Sequence, residues 1–310
     1  MTPGPTSPGP TPLGPTPLGP TPLGPAPLGP TSRCATTGAM TLDVEDYFQV
    51  EAFASIVDPA RWDAFAPRVA ANTNRVLDLF ASAGVRATCF TLGWVAERHP
   101  ALVRRIVAEG HELASHGYGH QRVDRIGEAA FAADIARARA LLEDIGGVVV
   151  TGYRAPTFSI GPRTPWAYDA LARAGYRYSS SVFPIRHDLY GSPDSPRRAH
   201  RCGALLELPM TTLQFGSRNL PLSGGGWFRL APYTLFRAGL RRVVGEGTRA
   251  IFYFHPWEID PGQPLIAGAS ARSRFRHRVN LAAMEGRLRH LLRDFAWDRI
   301  DRVFAPELAA

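Results

Sequence analysis

Beyond residue 39 the chain alternates between two hydrophobic patterns. Apolar runs at 39–44, 85–92, 111–115, 148–154, 176–179, 205–208 and 249–254 read as strands. The run at 85–92 is almost wholly apolar, as a strand buried on both faces requires. Segments of helical period lie between these runs. In 72–83, Val76, Leu77, Leu79 and Phe80 gather on one side, and Gly84 follows as a stop signal. Residues 100–109 form a second helix, with Pro100 in its first turn and Gly110 past its end. Helices are also predicted at 128–145, at 165–174 with Gly175 closing it, and at 284–295. Repeated strand–helix units imply an α/β fold, a parallel sheet with helices outside. Their number predicts a (β/α) barrel, distorted and with fewer than eight strands. In such barrels the chemistry sits at the C-terminal ends of strands, so every candidate motif should follow a strand directly.

The first part of the 310-residue chain does not share this pattern. Residues 2–30 repeat a Thr-Pro-Leu-Gly-Pro unit with almost no charge and no aromatic residue. Proline removes backbone donors and glycine raises the entropic cost of order, so residues 1–39 are expected to be disordered. Met40 directly precedes Thr-Leu-Asp-Val-Glu-Asp, the first core strand, and reads as the true translation start. Mass spectrometry of the native N-terminus would test that.

Charge and cysteine content narrow the function classes. The net charge is +8, and every basic residue is Arg. These Arg residues are scattered among acidic ones, without a basic block interleaved with aromatics, which argues against nucleic-acid binding. Affinity for anionic polymers remains open. Cys34, Cys89 and Cys202 are odd in number and fit no disulfide framework or zinc cluster; Cys89 reads as a small core residue. No run of 18 apolar residues exists, and the N-terminus lacks a signal-peptide pattern. The reading is a cytoplasmic protein without a membrane span.

Four segments pass the strand-end test. Asp43-Val44-Glu45-Asp46 ends the first strand; three carboxylates within four residues repel one another unless a cation or Arg compensates, or unless they form a solvated turn. Ser115-His116-Gly117-Tyr118-Gly119-His120 follows 111–114, and His at i and i+4 can meet on one metal if the segment takes a helical turn. Arg154-Ala155-Pro156 follows 151–153, and an Arg there can grip a carboxylate in two-pronged contact. Phe254-His255-Pro256-Trp257-Glu258 follows an apolar strand that delivers His255 to its end, either as a functional group or as a buried structural His.

In that order, each after a strand, these segments resemble the polysaccharide deacetylase family built on the NodB homology domain, carbohydrate esterase family 4. The sequences TLDVEDYFQV (41–50), GYRYSSSVFP (175–184), LSGGGWFRL (222–230) and HPWEIDP (255–261) further resemble a subgroup associated with exosortase and exopolysaccharide loci, which carries an extra C-terminal domain of unknown function. The resemblance covers about residues 40–305. It implies a NodB-like core over 40–184 and a C-terminal part, 185–310, that completes the barrel and carries the last catalytic His. His116 and His120 match the metal-binding histidines, Asp43 the catalytic base, Arg154 the Arg that holds the base, and His255 the general acid. The spacing Asp43-x-Glu45-Asp46 is similar to the allantoinase-like and Helicobacter-type branch, which selects Glu45 as the carboxylate ligand. Strand alternation puts Asp43 and Glu45 on one side; Asp46 is the competing ligand. The Asp that orients the general acid in the family has no clear counterpart, with Asp188 a guess.

The implied cofactor is a divalent metal: zinc, with cobalt, nickel or iron also suited to two imidazoles and a carboxylate. Trp257, Tyr47 and Pro156 are candidate substrate contacts, and Phe48 a further sugar-stacking ring. The Ser223-Gly224-Gly225-Gly226-Trp227 segment lacks the Lys-Ser/Thr of a nucleotide P-loop and reads as a flexible rim loop. The implied activity is removal of the acetyl group from an N-acetylated sugar in a polysaccharide, oligosaccharide or exopolysaccharide precursor. The alternatives are hydrolysis of a small ureide or cyclic amide on the same scaffold, and a catalytically inactive carbohydrate-binding protein.

Overall fold

The computed structural model describes residues 1–4, 9 and 38–310. Most of the Thr-Pro-Leu-Gly-Pro repeat, and Cys34, lie outside them. Eleven strands run in chain order among the described residues: β1 (Gly38–Val44), β2 (Thr88–Thr91), β3 (Glu112–Ser115), β4 (Gly152–Tyr153), β5 (Tyr178–Ser179), β6 (His200–Cys202), β7 (Leu205–Glu207), β8 (Thr212–Phe215), β9 (Arg218–Pro221), β10 (Ala250–Phe254) and β11 (Trp297–Asp298). The main sheet has the order β10-β1-β2-β3-β4-β5-β7-β6, with β11 also pairing β1. Every neighbouring pair in it is parallel except β6 with β7. The path from β10 to β7 is the predicted distorted barrel with fewer than eight strands; β8 and β9 form a separate antiparallel hairpin.

The barrel does not close by strand pairing. Two hydroxyls occupy the free edge of β10 instead. Thr211 Oγ1 accepts the Ile251 N–H at 2.6 Å and donates to the Ile251 carbonyl at 3.0 Å, while Ser223 Oγ accepts the Tyr253 N–H at 3.2 Å. A buried strand edge without such partners would leave its amides unsatisfied, at a cost of about 1–3 kcal/mol each.

β1, β2 and β10 are buried along their whole lengths, as central strands covered on both faces must be. Cys89 is part of that core. The first long helix spans Val69–Ala83 and stops at Gly84, whose φ of 64° continues no helix. The helices at Pro100–Ala108, Trp166–Arg173 and Leu281–Asp294 match their periodic segments within a few residues. The third expected helix begins earlier, at Val123, and runs to Gly146 with a break at Gly127 (φ 76°). Of the expected strand 148–154, only Gly152–Tyr153 is paired. Helices Gly93–Arg98, Gly225–Leu230, Tyr233–Gly245 and Ala271–Arg278, and the β8–β9 hairpin, are additions that the hydrophobic pattern did not reveal. No helix among the described residues is long and apolar enough to cross a membrane.

Candidate active site

The C-terminal ends of β1, β3, β4 and β10 open on one mouth. A cavity of about 500 Å³ lies there, lined by Asp43, Glu45, His116, His120 and His255 among others. Each strand contributes one part.

β1 ends in Leu42-Asp43-Val44, so Asp43 faces opposite to the apolar residues beside it. Asp43 Oδ1 meets Arg154 Nη1 at 2.6 Å. Arg154, delivered by β4, is fully buried and its other donors are also used: on Thr41 Oγ1 at 2.8 Å, the Ser180 carbonyl at 3.0 Å and Ser180 Oγ at 3.1 Å. The ring of Phe90 lies 4.1 Å from the guanidinium carbon. A buried cation bonded through all three of its nitrogens cannot turn away, so it fixes the carboxylate it holds.

β3 hands over to His116. Its Nδ1 lies 2.8 Å from the Arg154 carbonyl, which can only accept, so the proton sits on Nδ1 and Nε2 keeps a free lone pair. The two histidines do not converge through a helical turn. Gly117 (φ 74°) and His120 (φ 51°) both adopt the left-handed conformation, and they fold the loop back. Asp134 holds that loop by accepting the N–H of Tyr118 (2.9 Å) and of Gly119 (3.3 Å). A side chain at position 117 would strike Asp134, with its Cβ 2.7 Å from a carboxylate oxygen.

Glu45 completes the group. Its Oε2 lies 2.7 Å from His120 Nε2 and 3.8 Å from His116 Nε2, and the three ligand atoms all fall within 4.8 Å of one another. Glu45 Oε2 is buried, yet no donor is aligned on it for a hydrogen bond. Two imidazole nitrogens and a carboxylate oxygen that crowd without bonding one another fit a divalent metal ion. Burial pushes the Glu45 carboxyl up, but the charges of His120 and His255 outweigh it and hold it down to about 2. Burial brings His116 down to about 4, leaving it neutral and able to ligate.

Asp46 stands outside this group. It accepts the backbone N–H of Tyr47 (2.8 Å), Arg68 (2.7 Å) and Val69 (2.9 Å), and so anchors the start of helix Val69–Ala83. Tyr47 and Phe48 are 1% exposed and pack edge-to-face on each other, so both are core residues rather than sugar contacts. Pro156 is buried too; its neighbours Ala155 and Thr157 line the cavity in its place. Trp257 does line the cavity, but its ring is sandwiched between His255 (5.2 Å) and His277 (4.2 Å), so its main contacts are with imidazoles.

His255 leaves β10 with Nε2 3.5 Å from Glu45 Oε1. Its Nδ1 lies 2.8 Å from Glu258 Oε1, and Glu258 Oε2 accepts from Arg229 Nε at 2.8 Å. Burial alone would lower the His255 pKa; the charge of Glu45 and the hydrogen bond to Glu258 reverse this and raise it to about 9. Glu258 is therefore the carboxylate that holds the His255 ring. Asp188 is not: it sits on the surface with Arg272 and Arg276. Sequence reasoning missed Glu258 and Arg229, although Glu258 stands three residues after His255 in a segment already singled out. The Ser-Gly-Gly-Gly-Trp segment does reach the cavity rim, which Gly226 and Trp227 line, but it is built into the fold. Ser223 is buried against the edge of β10, and Gly225 opens helix Gly225–Leu230 against the Glu258 carboxylate, where a Cβ would overlap it.

Residues 62–179 match the polysaccharide deacetylase family, and residues 180–305 match a domain of unknown function, DUF3473. Over 84 residues the chain is 32% identical to the peptidoglycan-N-acetylglucosamine deacetylase of Bacillus cereus, covering 27% of this chain and 30% of that one. It is 29% identical over 108 residues to the peptidoglycan deacetylase of Helicobacter pylori, covering 35% of this chain and 36% of that one. The chain thus spans about a third of each of these relatives. Among solved structures, a protein of Mycobacterium smegmatis classed as a polysaccharide deacetylase superposes with a TM-score of 0.59 at 22% identity, over 90% of this chain and 92% of that one; the fold is shared. The deacetylase segment carries His116, His120 and Arg154. Asp43 and Glu45 precede it, and His255, Glu258 and Arg229 come from the DUF3473 segment. Neither matched segment holds the whole constellation.

Proposed function

We propose that the protein is a metal-dependent deacetylase that hydrolyses the N-acetyl group of an N-acetylated sugar in a polysaccharide or exopolysaccharide precursor. The observation that carries this reading is the convergence of Glu45, His116 and His120 within 4.8 Å, in a cavity also lined by Asp43 and His255. A divalent ion held by those three residues, zinc or else cobalt, nickel or iron, would polarise the acetamide carbonyl and lower the pKa of water.

The chain's own groups divide the proton work. Asp43, kept in place by Arg154, takes the proton of the attacking water. His255 donates a proton to the departing amine, which is a poor leaving group without it. Glu258 accepts from Nδ1 of His255 and leaves Nε2 on the cavity side. Arg229 fixes Glu258 in turn, so the general acid is held by a chain of buried contacts rather than by solvent.

The test is acetate release from N-acetylglucosamine oligomers of defined length, with and without chelator, beside metal analysis of the purified protein. Chelator-sensitive acetate release is expected. Binding of oligomers without acetate release would refute the reading in favour of a carbohydrate-binding protein. Turnover of a small ureide or cyclic amide in place of the oligomers would refute it in favour of another carbon–nitrogen hydrolase.

A further inference from the structure

One wall of the cavity is formed by helix Ala271–Arg278, sequence ARSRFRHR. Arg272, Phe275 and Arg276 line the same cavity as Asp43 and His255. Phe275 is 60% exposed, unusual for a large apolar side chain beside a catalytic cleft. Side-chain exposure is 68% at Arg272 and 35% at Arg276. Asp188 is the one acidic partner they share among the described residues, and the exposed Arg274 has none. Arg276 Nη1 lies 3.0 and 2.9 Å from the two Asp188 oxygens, and Arg272 Nη2 lies 3.1 Å from one of them. Two guanidiniums on one carboxylate leave a net positive charge, and an ion pair this exposed exchanges readily with another anion.

The helix is not loose. Arg229, which holds Glu258, also donates to the carbonyls of Arg276 and His277, and the His277 ring stacks on Trp257. The rim and the general acid therefore share one support.

We propose that this rim reads an acidic group on a sugar next to the one deacetylated, so that the substrate class is an acidic N-acetylated glycan. Arg272 and Arg276 take its carboxylate, for which a planar guanidinium is shaped, and Phe275 covers the face of the same ring. The inference rests on the deacetylase reading above and specifies its substrate.

The experiment compares a hyaluronan tetrasaccharide, which carries N-acetylated and uronic sugars in alternation, with chitin tetrasaccharide. Binding is measured by titration calorimetry on the full chain at low and moderate salt, and acetate release is measured in parallel. The acidic oligomer is expected to bind about tenfold more tightly, with the advantage shrinking as salt rises. Arg272→Ala with Arg276→Ala removes the advantage and leaves the neutral oligomer unchanged. Arg272→Glu, at an exposed position that folding does not need, inverts it. Equal binding of the two oligomers overturns the proposal, as does a preference that survives both variants. Uptake onto phosphatidylglycerol vesicles in place of any oligomer preference would assign the rim to a membrane surface and overturn it too. Acetate release from both oligomers at equal affinity refutes this inference alone. An acidic preference without acetate release from either oligomer supports the rim and refutes the deacetylase reading.

Discussion

At the residue scale the site separates holding from reacting. In the proposed mechanism Asp43 reacts while Arg154 holds it, and His255 reacts while Glu258 with Arg229 holds it. Asp43→Asn keeps the size of the side chain and removes its basicity. It is expected to lower acetate release by about 10²–10⁴-fold while metal content, read by elemental analysis, stays unchanged. Retained activity would reject Asp43 as the base. Glu258→Gln keeps an acceptor for His255 Nδ1 but removes the charge that Arg229 neutralises. Its kcat is expected to fall by about 10–100-fold with KM nearly constant, because the defect lies in the proton donor and not in the grip on the sugar. A rise in KM alone would assign Glu258 to substrate binding.

At the element scale, two features depend on backbone that side chains cannot replace. Gly225 lets helix Gly225–Leu230 approach the Glu258 carboxylate. Gly225→Ala should displace either the helix or Glu258, and so reproduce the kcat loss of Glu258→Gln in a folded protein, as circular dichroism would confirm. β1 begins two residues before Met40, and Gly38 and Ala39 pair with both β10 and β11. A chain that starts at Met40 gives up the pairing with β11; one that starts at Gly38 keeps it. The shorter chain is expected to melt several degrees lower, roughly 1–2 kcal/mol in a domain of this size. Equal melting temperatures would show that β11 needs no partner there.

For the whole molecule, stability should depend on pH through buried groups spread over several elements. Burial lowers His111 to about 4 and His277 to about 3. Both are neutral in the folded state, whereas in the unfolded chain they protonate below their ordinary value of 6.5. Their contribution is fully present above pH 6.5 and is lost as pH falls from 6.5 toward 4. Burial raises Glu112 to about 7 against an ordinary 4.5, so it acts in the opposite sense: its stabilisation is present below pH 4.5 and is lost as pH rises through 7. The buried histidines, His116 among them, outnumber Glu112, so stability is expected to fall on acidification through that window. Thermal melts from pH 7 to 4.5 check this. Replacing His111 by Asn should flatten the curve, and an unchanged slope would exclude His111 as its source.

Much of the site was legible in the sequence because a parallel barrel concentrates chemistry at strand ends, and strand ends can be read from local pattern. Asp43 and Glu45 stand at the end of β1, and His116, His120, Arg154 and His255 follow β3, β4 and β10 within five residues, so finding the strands found them. The pattern also gave the α/β class and the main helices, since burial on one face leaves a period in the chain. What it could not give were contacts between residues far apart in the chain. The bond of Arg229 to Glu258, the diversion of Asp46 to the start of a distant helix, and the two hydroxyls on the open edge of β10 all arise from packing. Spacing and strand alternation already favoured Glu45 over Asp46, but only the tertiary structure showed what Asp46 does instead, and only it favoured Glu258 over Asp188. A carboxylate's role depends on which cation or amide stands within 3 Å of it, and hydrophobic periodicity along the chain carries no record of that distance.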